Sequence, residues 1–263
     1  MSNLEAIILG LIQGLTEFLP ISSSGHLEIG KALFGIKHQD YDSLLLTLVL
    51  HLGTALSTIF VFKKQIFEIL LSLLKFKIDY NTLFVLKVFV SMIPAVTVGI
   101  LLQQKIKILF SNNLILVGIM FLITALILYV AGGVKNKTKI VSIKNAFILG
   151  TIQAIAILPG ISRSGSTISM ALILGIDREK AAKFSFLMVL PIIFGSILKI
   201  FYDIKKTSLD IDYLSLCLGF LTAFVSGVFA CKWMITLVKK SKLINFSYYC
   251  VFVGIISIFY GLF

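Results

Sequence analysis

Two stretches decide how the chain folds: Leu19-Pro20-Ile21-Ser22-Ser23-Ser24-Gly25-His26 and Leu158-Pro159-Gly160-Ile161-Ser162-Arg163-Ser164-Gly165. Each interrupts an apolar run near its middle, residues 4–34 in the first case and 145–175 in the second. Proline breaks a helix by removing a donor and clashing with the preceding turn, while glycine and serine favour turns and caps over helix interiors. Each half-run is then too short to cross the hydrocarbon core, which takes about 20 residues of helix. The halves read as re-entrant helical hairpins that enter a membrane and return to the same side. Bare backbone at that depth is tolerated only where protein or a watered cavity covers it.

The rest of the chain supplies the membrane. Its 263 residues are 58% hydrophobic and only 14% charged, against roughly a quarter charged in a soluble domain. The mean hydropathy is +1.03. Six stretches are apolar throughout, about 43–62, 84–104, 113–131, 181–202, 211–238 and 246–262, and read as full spans. The fold class is therefore an all-α integral membrane protein with six transmembrane helices and two re-entrant helical hairpins, a single membrane domain over residues 1–263. No cleavable signal is read at the start, because Glu5 stands where a basic region belongs. Cys217, Cys231 and Cys250 lie singly in apolar segments and read as small core residues.

The two broken runs match each other at an offset of 140. Ile8-Leu9-Gly10-x-Ile12-Gln13 aligns with Ile148-Leu149-Gly150-x-Ile152-Gln153, and Ile21-Ser22-Ser23-Ser24-Gly25 with Ile161-Ser162-Arg163-Ser164-Gly165. Phe89-Val90-Ser91 echoes Phe224-Val225-Ser226 at an offset of 135. The pattern predicts a duplication with halves of about 1–140 and 141–263. Three full spans lie between the hairpins, so the second enters from the opposite face and the repeats are inverted, an architecture that places sites near the midplane.

The net charge of +12 does not point to nucleic acid, because the lysines cluster between spans. On this topology thirteen basic residues fall on one side: Lys63, Lys64, Lys75, Lys77, Lys135, Lys137, Lys139, Lys144, Arg178, Lys180, Lys239, Lys240 and Lys242. Six fall on the other: Lys31, Lys37, Lys105, Lys107, Lys205 and Lys206. The richer side is assigned to the cytoplasm, which puts the first hairpin outside.

Chemistry concentrates at the two breaks. Glu17 lies within the apolar run, with Gln13 one helical turn before it on the same face. A carboxylate there costs at least a few kcal/mol unless compensated. It reads either as a metal ligand or proton acceptor, or as an ion-pair partner of Arg163 that fastens the hairpins together. His26 follows the serine-rich break and titrates near neutrality, as proton transfer requires. His51 reads as a hydrogen-bonded core residue and His38 as a loop residue beside Asp40 and Asp42. Of the two arginines, Arg178 reads as solvated, while Arg163 sits in the second break. Its fork can hold phosphate bidentately where an ammonium acts as a point charge. Helix starts at both breaks aim N–H groups and a positive dipole end at the gap, a ready anion site. Gln13, Ser22, Ser24, Gly25, Ser162, Ser164, Gly165 and Ser166 are the expected substrate-binding residues around it.

The segment Gln13-Gly14-Leu15-Thr16-Glu17-Phe18-Leu19-Pro20-Ile21-Ser22-Ser23-Ser24-Gly25-His26 resembles the (E/Q)xxxE region of the undecaprenyl-diphosphate phosphatase, or bacitracin-resistance protein, family. Pro159-Gly160-Ile161-Ser162-Arg163-Ser164-Gly165 is similar to that family's PGxSRSG motif, and Phe184-Ser185-Phe186 to its FSF stretch. Here Gln13 stands at a position often held by glutamate. The resemblance implies hydrolysis of undecaprenyl diphosphate to the monophosphate and inorganic phosphate in the bacterial cytoplasmic (inner) membrane. That reaction recycles a cell-wall lipid carrier and confers bacitracin resistance. It also implies a divalent cation, Mg²⁺ or Ca²⁺, near Glu17 and Gln13, and essential roles for Glu17, Ser23, His26 and Arg163. Ser23 is either nucleophile or phosphate-binding hydroxyl, with water or His26 as the other candidate attackers. The expected partners are the polyprenyl diphosphate and membrane lipids, with no nucleic acid, and both monomer and homodimer stay open.

Two rivals are weighed. A transporter or flippase of a phosphate-bearing lipid uses the same broken helices but releases no phosphate. Lipid phosphatases with a phosphohistidine nucleophile need histidine six residues after the SR arginine, where this chain has Ser169.

Overall fold

A computed structural model describes residues 2–36, 41–75, 78–102, 113–135, 137–204, 212–240 and 242–262. His38, Asp40, Lys37, Lys77, Lys105, Lys107, Lys205 and Lys206 lie outside them, as do positions 103–104 and 211 of two expected spans.

The chain is helical from end to end of what is described. The first hairpin is α1 (Asn3–Phe18) and α2 (Ser23–Leu33). Then come α3 (Tyr41–Val61), α4 (Lys63–Leu74), α5 (Tyr80–Leu101) and α6 (Leu114–Gly132). The second hairpin is α7 (Ile143–Ile155) and α8 (Arg163–Ile173), followed by α9 (Arg178–Leu187), α10 (Leu190–Ile204), α11 (Tyr213–Lys239) and α12 (Ile244–Leu262). Both expected breaks interrupt helix where proline, glycine and serine predicted. Among the described residues the one β pairing is an isolated bridge between Lys139 and Ile176.

Among the described residues, six segments are long and apolar enough to cross a membrane: Leu44–Val61, Tyr80–Leu101, Leu114–Gly132, Arg178–Leu198, Tyr213–Lys239 and Ile244–Leu262. They fall on the six expected spans. The fourth differs in detail, since α9 and α10 divide it at Met188 and Val189. Pro191 stands in the first turn of α10, where its missing N–H costs nothing and its ring disfavours helix just before it. The short α4 was hidden in sequence because its polar residues read as a loop.

Polarity is distributed inside-out. Gln13, Thr54, Ser57, Ser91 and Thr124 are buried, whereas Leu126, Phe229, Phe252 and Phe259 face outward. Without a hydrophobic drive between helices in lipid, close packing needs small residues, and α1 supplies Gly10 and Gly14. A Cβ on Gly10 would lie 2.6 Å from the Gly219 carbonyl oxygen of α11, and one on Gly14 would lie 2.7 Å from that of Ala223. The second hairpin repeats the device on the other half: a Cβ on Gly150 of α7 would lie 2.1 Å from the Ser91 carbonyl oxygen of α5. Thus α1 packs along α11 and α7 along α5, while α6 packs on α12 and α3 on α10 and α11.

Two readings are corrected. Arg178 is not solvated: it is buried, and its Nη2 donates to the Val134 carbonyl at 2.7 Å. That carbonyl belongs to the segment just after α6, which four residues of local charge did not reveal. Cys231 and Cys250 are buried as expected, but Cys217 is exposed.

Candidate active site

The two breaks share one capping design. Ser22 Oγ accepts the Gly25 N–H at 3.2 Å, and Ser162 Oγ accepts the Gly165 N–H at 3.0 Å. Each satisfies a donor that the helix start leaves open. Ser24 Oγ lies 3.3 Å from Ser22 Oγ, and Ser164 Oγ 3.4 Å from Ser162 Oγ. The turns before the caps differ. Ser22 itself takes a positive φ of 67°, whereas the second break uses Gly160 at 95°. Thr124 of α6 braces the second break by donating to the Gly160 carbonyl and accepting the Ser162 N–H, each at 3.0 Å.

The breaks touch. Ser164 Oγ donates to the Leu19 carbonyl at 3.2 Å. A Cβ on Gly165 would lie 3.1 Å from the Pro20 carbonyl oxygen, and one on Gly25 would lie 3.0 Å from Gly160 Cα. Both glycines therefore serve close approach of backbone to backbone.

Across this contact the charged residues meet. Arg163 Nη2 donates to Glu17 Oε1 in an ion pair between the hairpins. Arg163 Nη1 donates to the Ser185 carbonyl at 3.2 Å. Glu17 Oε2 accepts from Ser23 Oγ at 2.7 Å and from Gln13 Nε2 at 3.0 Å. The pairing named as an alternative for Glu17 is thus present, and it brings Gln13, Ser23 and Arg163 to one carboxylate. Glu17 and Gln13 are buried. In such a place a lone charge is costly, and the pair is tolerated because every partner donates into it.

The Phe184-Ser185-Phe186 stretch acts as a bracket. Its central residue holds Arg163 by the carbonyl and contacts Thr167 Oγ1 by its hydroxyl at 2.5 Å. Phe186 packs edge-on against Phe18 at 5.4 Å, beside Glu17, and Phe184 against Phe84 at 5.6 Å. Both phenylalanines are buried, so the backbone that grips the guanidinium is pinned from both sides.

His26 occupies the first turn of α2 but stands apart. Its Nδ1 lies 2.7 Å from the Ser22 carbonyl, which can only accept, so Nδ1 carries a proton. Nε2 lies 2.8 Å from the hydroxyl of Tyr249. Among the described residues no hydrogen bond joins His26 to Glu17, Ser23 or Arg163. His51 is held in its span as expected, donating from Nδ1 to the Thr47 carbonyl at 2.7 Å.

The donor set fits a hard divalent cation. Gln13 Oε1 is buried with no partner among the described residues, one turn from the Glu17 carboxylate. Among those residues no group of three histidine, cysteine or acidic side chains gathers. The Glu17 and Gln13 oxygens are of the donor type that a magnesium-like ion takes, one or two from protein with phosphate oxygens and water filling the shell.

Residues 6–256 match the family model described as bacitracin resistance protein BacA. The chain belongs to this family. Among the family's named relatives, an undecaprenyl-diphosphatase of Christiangramia forsetii is 54% identical over 261 residues, covering 99% of both chains. One from Bacteroides fragilis is 48% identical over 262 residues, covering 98% of each. One from Methanococcus vannielii is 42% identical over 261 residues, 98% of this chain and 100% of the relative. The BacA family thus embraces the whole fold described above, both breaks included. Sequence reasoning missed Thr124, Ser185 as the arginine's anchor, and Tyr249. The last lies in a span with no break or charge nearby to mark it.

Proposed function

We propose that this chain hydrolyses a polyprenyl diphosphate, undecaprenyl diphosphate foremost, to the monophosphate and inorganic phosphate. One observation carries the reading: Glu17 and Arg163, from opposite hairpins, meet at a single point between two anion-favouring helix starts. The whole-length likeness to named undecaprenyl-diphosphatases supports it.

A guanidinium has five N–H donors, and two are spent on Glu17 and Ser185. The remainder, with the N–H groups at the start of α8, hold the terminal phosphate and neutralise charge as its bridging bond lengthens. Ser23 donates to Glu17 at 2.7 Å, the relation of a nucleophilic hydroxyl to its base. Ser23 Oγ then bonds the terminal phosphorus as the bond to the bridging oxygen breaks. Its proton passes to Glu17, and the lipid leaves as the monophosphate. Water cleaves the phosphoserine and returns a proton to Oγ. Glu17 and Gln13 Oε1 would hold a divalent cation, which would supply charge neutralisation on the phosphate oxygens. Ser22 and Ser162 act as caps, and Ser166, whose hydroxyl is buried without a partner among the described residues, is available to phosphate.

The exchanged packing of α1 on α11 and α7 on α5, with the duplicated caps, supports an inverted repeat. The lysine distribution supports a bacterial inner membrane topology with the site opening outward.

The purified protein in detergent should release inorganic phosphate from a long-chain polyprenyl diphosphate, and EDTA should suppress the release. Lipid movement across vesicles without phosphate release would replace this reading with a carrier. Full activity after chelation would remove the cation.

A further inference from the structure

Tyr249 lies in the final helix, far in sequence from both breaks, and no motif covers it. Yet through it α12 reaches the first hairpin, beside Cys250, whose Sγ lies 4.0 Å from the Pro20 carbonyl. Its ring lies nearly parallel to that of His26, with centroids 5.7 Å apart and planes 9° apart. Phe121 of α6 closes the other approach edge-on at 5.1 Å. The imidazole is therefore held on two sides by aromatic rings, and on a third by the Ser22 carbonyl at Nδ1.

These contacts leave Nε2 as the one ring atom able to exchange a proton, and the Tyr249 hydroxyl sits on it at 2.8 Å. A phenol both donates and accepts. It donates to Nε2 of a neutral ring and accepts from Nε2–H of a charged one, so the contact survives both states. Tyr249 is 41% exposed, placing the hydroxyl at the edge of the site, between the imidazole and the surroundings.

We propose that Tyr249 is a positioning residue for the phosphatase reaction, fixing the orientation of His26 and holding its reactive nitrogen ready for proton exchange. This rests on the reading of the site as a phosphatase. It requires that the hydroxyl work through His26, and three variants test that.

Tyr249→Phe keeps the ring against His26 and removes only the hydroxyl. In steady-state phosphate release from undecaprenyl diphosphate, kcat should fall about 10- to 100-fold, the usual cost of losing a partner that orients a functional histidine, with KM within about twofold. His26→Gln should fall further. In the double variant, removing the hydroxyl should cost nothing beyond His26→Gln, because residues that act as one unit are not additive. Wild-type kcat in Tyr249→Phe would overturn the proposal. So would a full multiplicative loss in the double variant, which would mark Tyr249 as acting through packing or directly on substrate. An unchanged thermal midpoint of Tyr249→Phe in detergent excludes misfolding as the cause, and a lowered one assigns the loss to folding and overturns the proposal. If the unaltered protein releases no phosphate, the phosphatase reading fails first and separately.

Discussion

The two helix breaks were built on one plan and now do different work. Their caps agree residue for residue, Ser22 to Gly25 and Ser162 to Gly165, yet the first carries the carboxylate and imidazole and the second the guanidinium. At the offset of 140, Arg163 stands where the first break has Ser23, and Ile157 where it has Glu17. The shared part is what any broken membrane helix needs, namely partners for backbone N–H groups that no water will satisfy. The unshared part is the chemistry. The two breaks present helix starts capped alike, and opposite charges lie across them.

This contrast can be broken most severely at its charges. Glu17→Gln should reduce phosphate release by at least about 10³-fold, since it removes the base and the cation's carboxylate together, while the protein should still purify folded in detergent. Loss of the folded fraction instead would make Glu17 a fastener only. Next is Arg163→Lys, which keeps the charge but loses the fork. Release should drop about 10²- to 10³-fold, the scale for losing one preorganised donor, and near-native turnover would show that a point charge suffices.

The turns provide a finer test. Gly160→Ala should cost about 1–3 kcal/mol for the left-handed backbone alone. The new methyl must also find room 2.4 Å from the Val117 carbonyl oxygen. Ser22 already bears a side chain in that region of φ, so Ser22→Gly should change stability by less than about 1 kcal/mol. Equal losses at the two positions, read as thermal midpoints in detergent, would deny that the turns differ.

Much of this was legible before any coordinates. Proline and glycine marked both breaks, and apolar run length separated hairpins from spans, because the bilayer imposes one length on every crossing helix. The pairing of Glu17 with Arg163 was legible as an alternative, since two opposite charges in lipid have few places to go. What could not be read was whatever depends on which helix lies beside which. Tyr249 approaches His26 across 223 positions, and Thr124 braces Gly160 from a span that shows only apolar character. Arg178 looked like a loop residue because the carbonyl that receives its guanidinium belongs to Val134, more than forty positions earlier. The division at Met188 and Val189 had a local signal in Pro191, but a continuous apolar run concealed it.

The seat of Gly10 and Gly14 against Gly219 and Ala223 has a consequence for how the molecule is made. α1 has its groove on α11, and the Glu17 carboxylate meets its counter-ion only after residue 163 is synthesised. Until then Gln13 and Ser23 are the partners that the first hairpin itself offers Glu17. The site therefore closes late, as a clasp whose first half waits for its second to be synthesised.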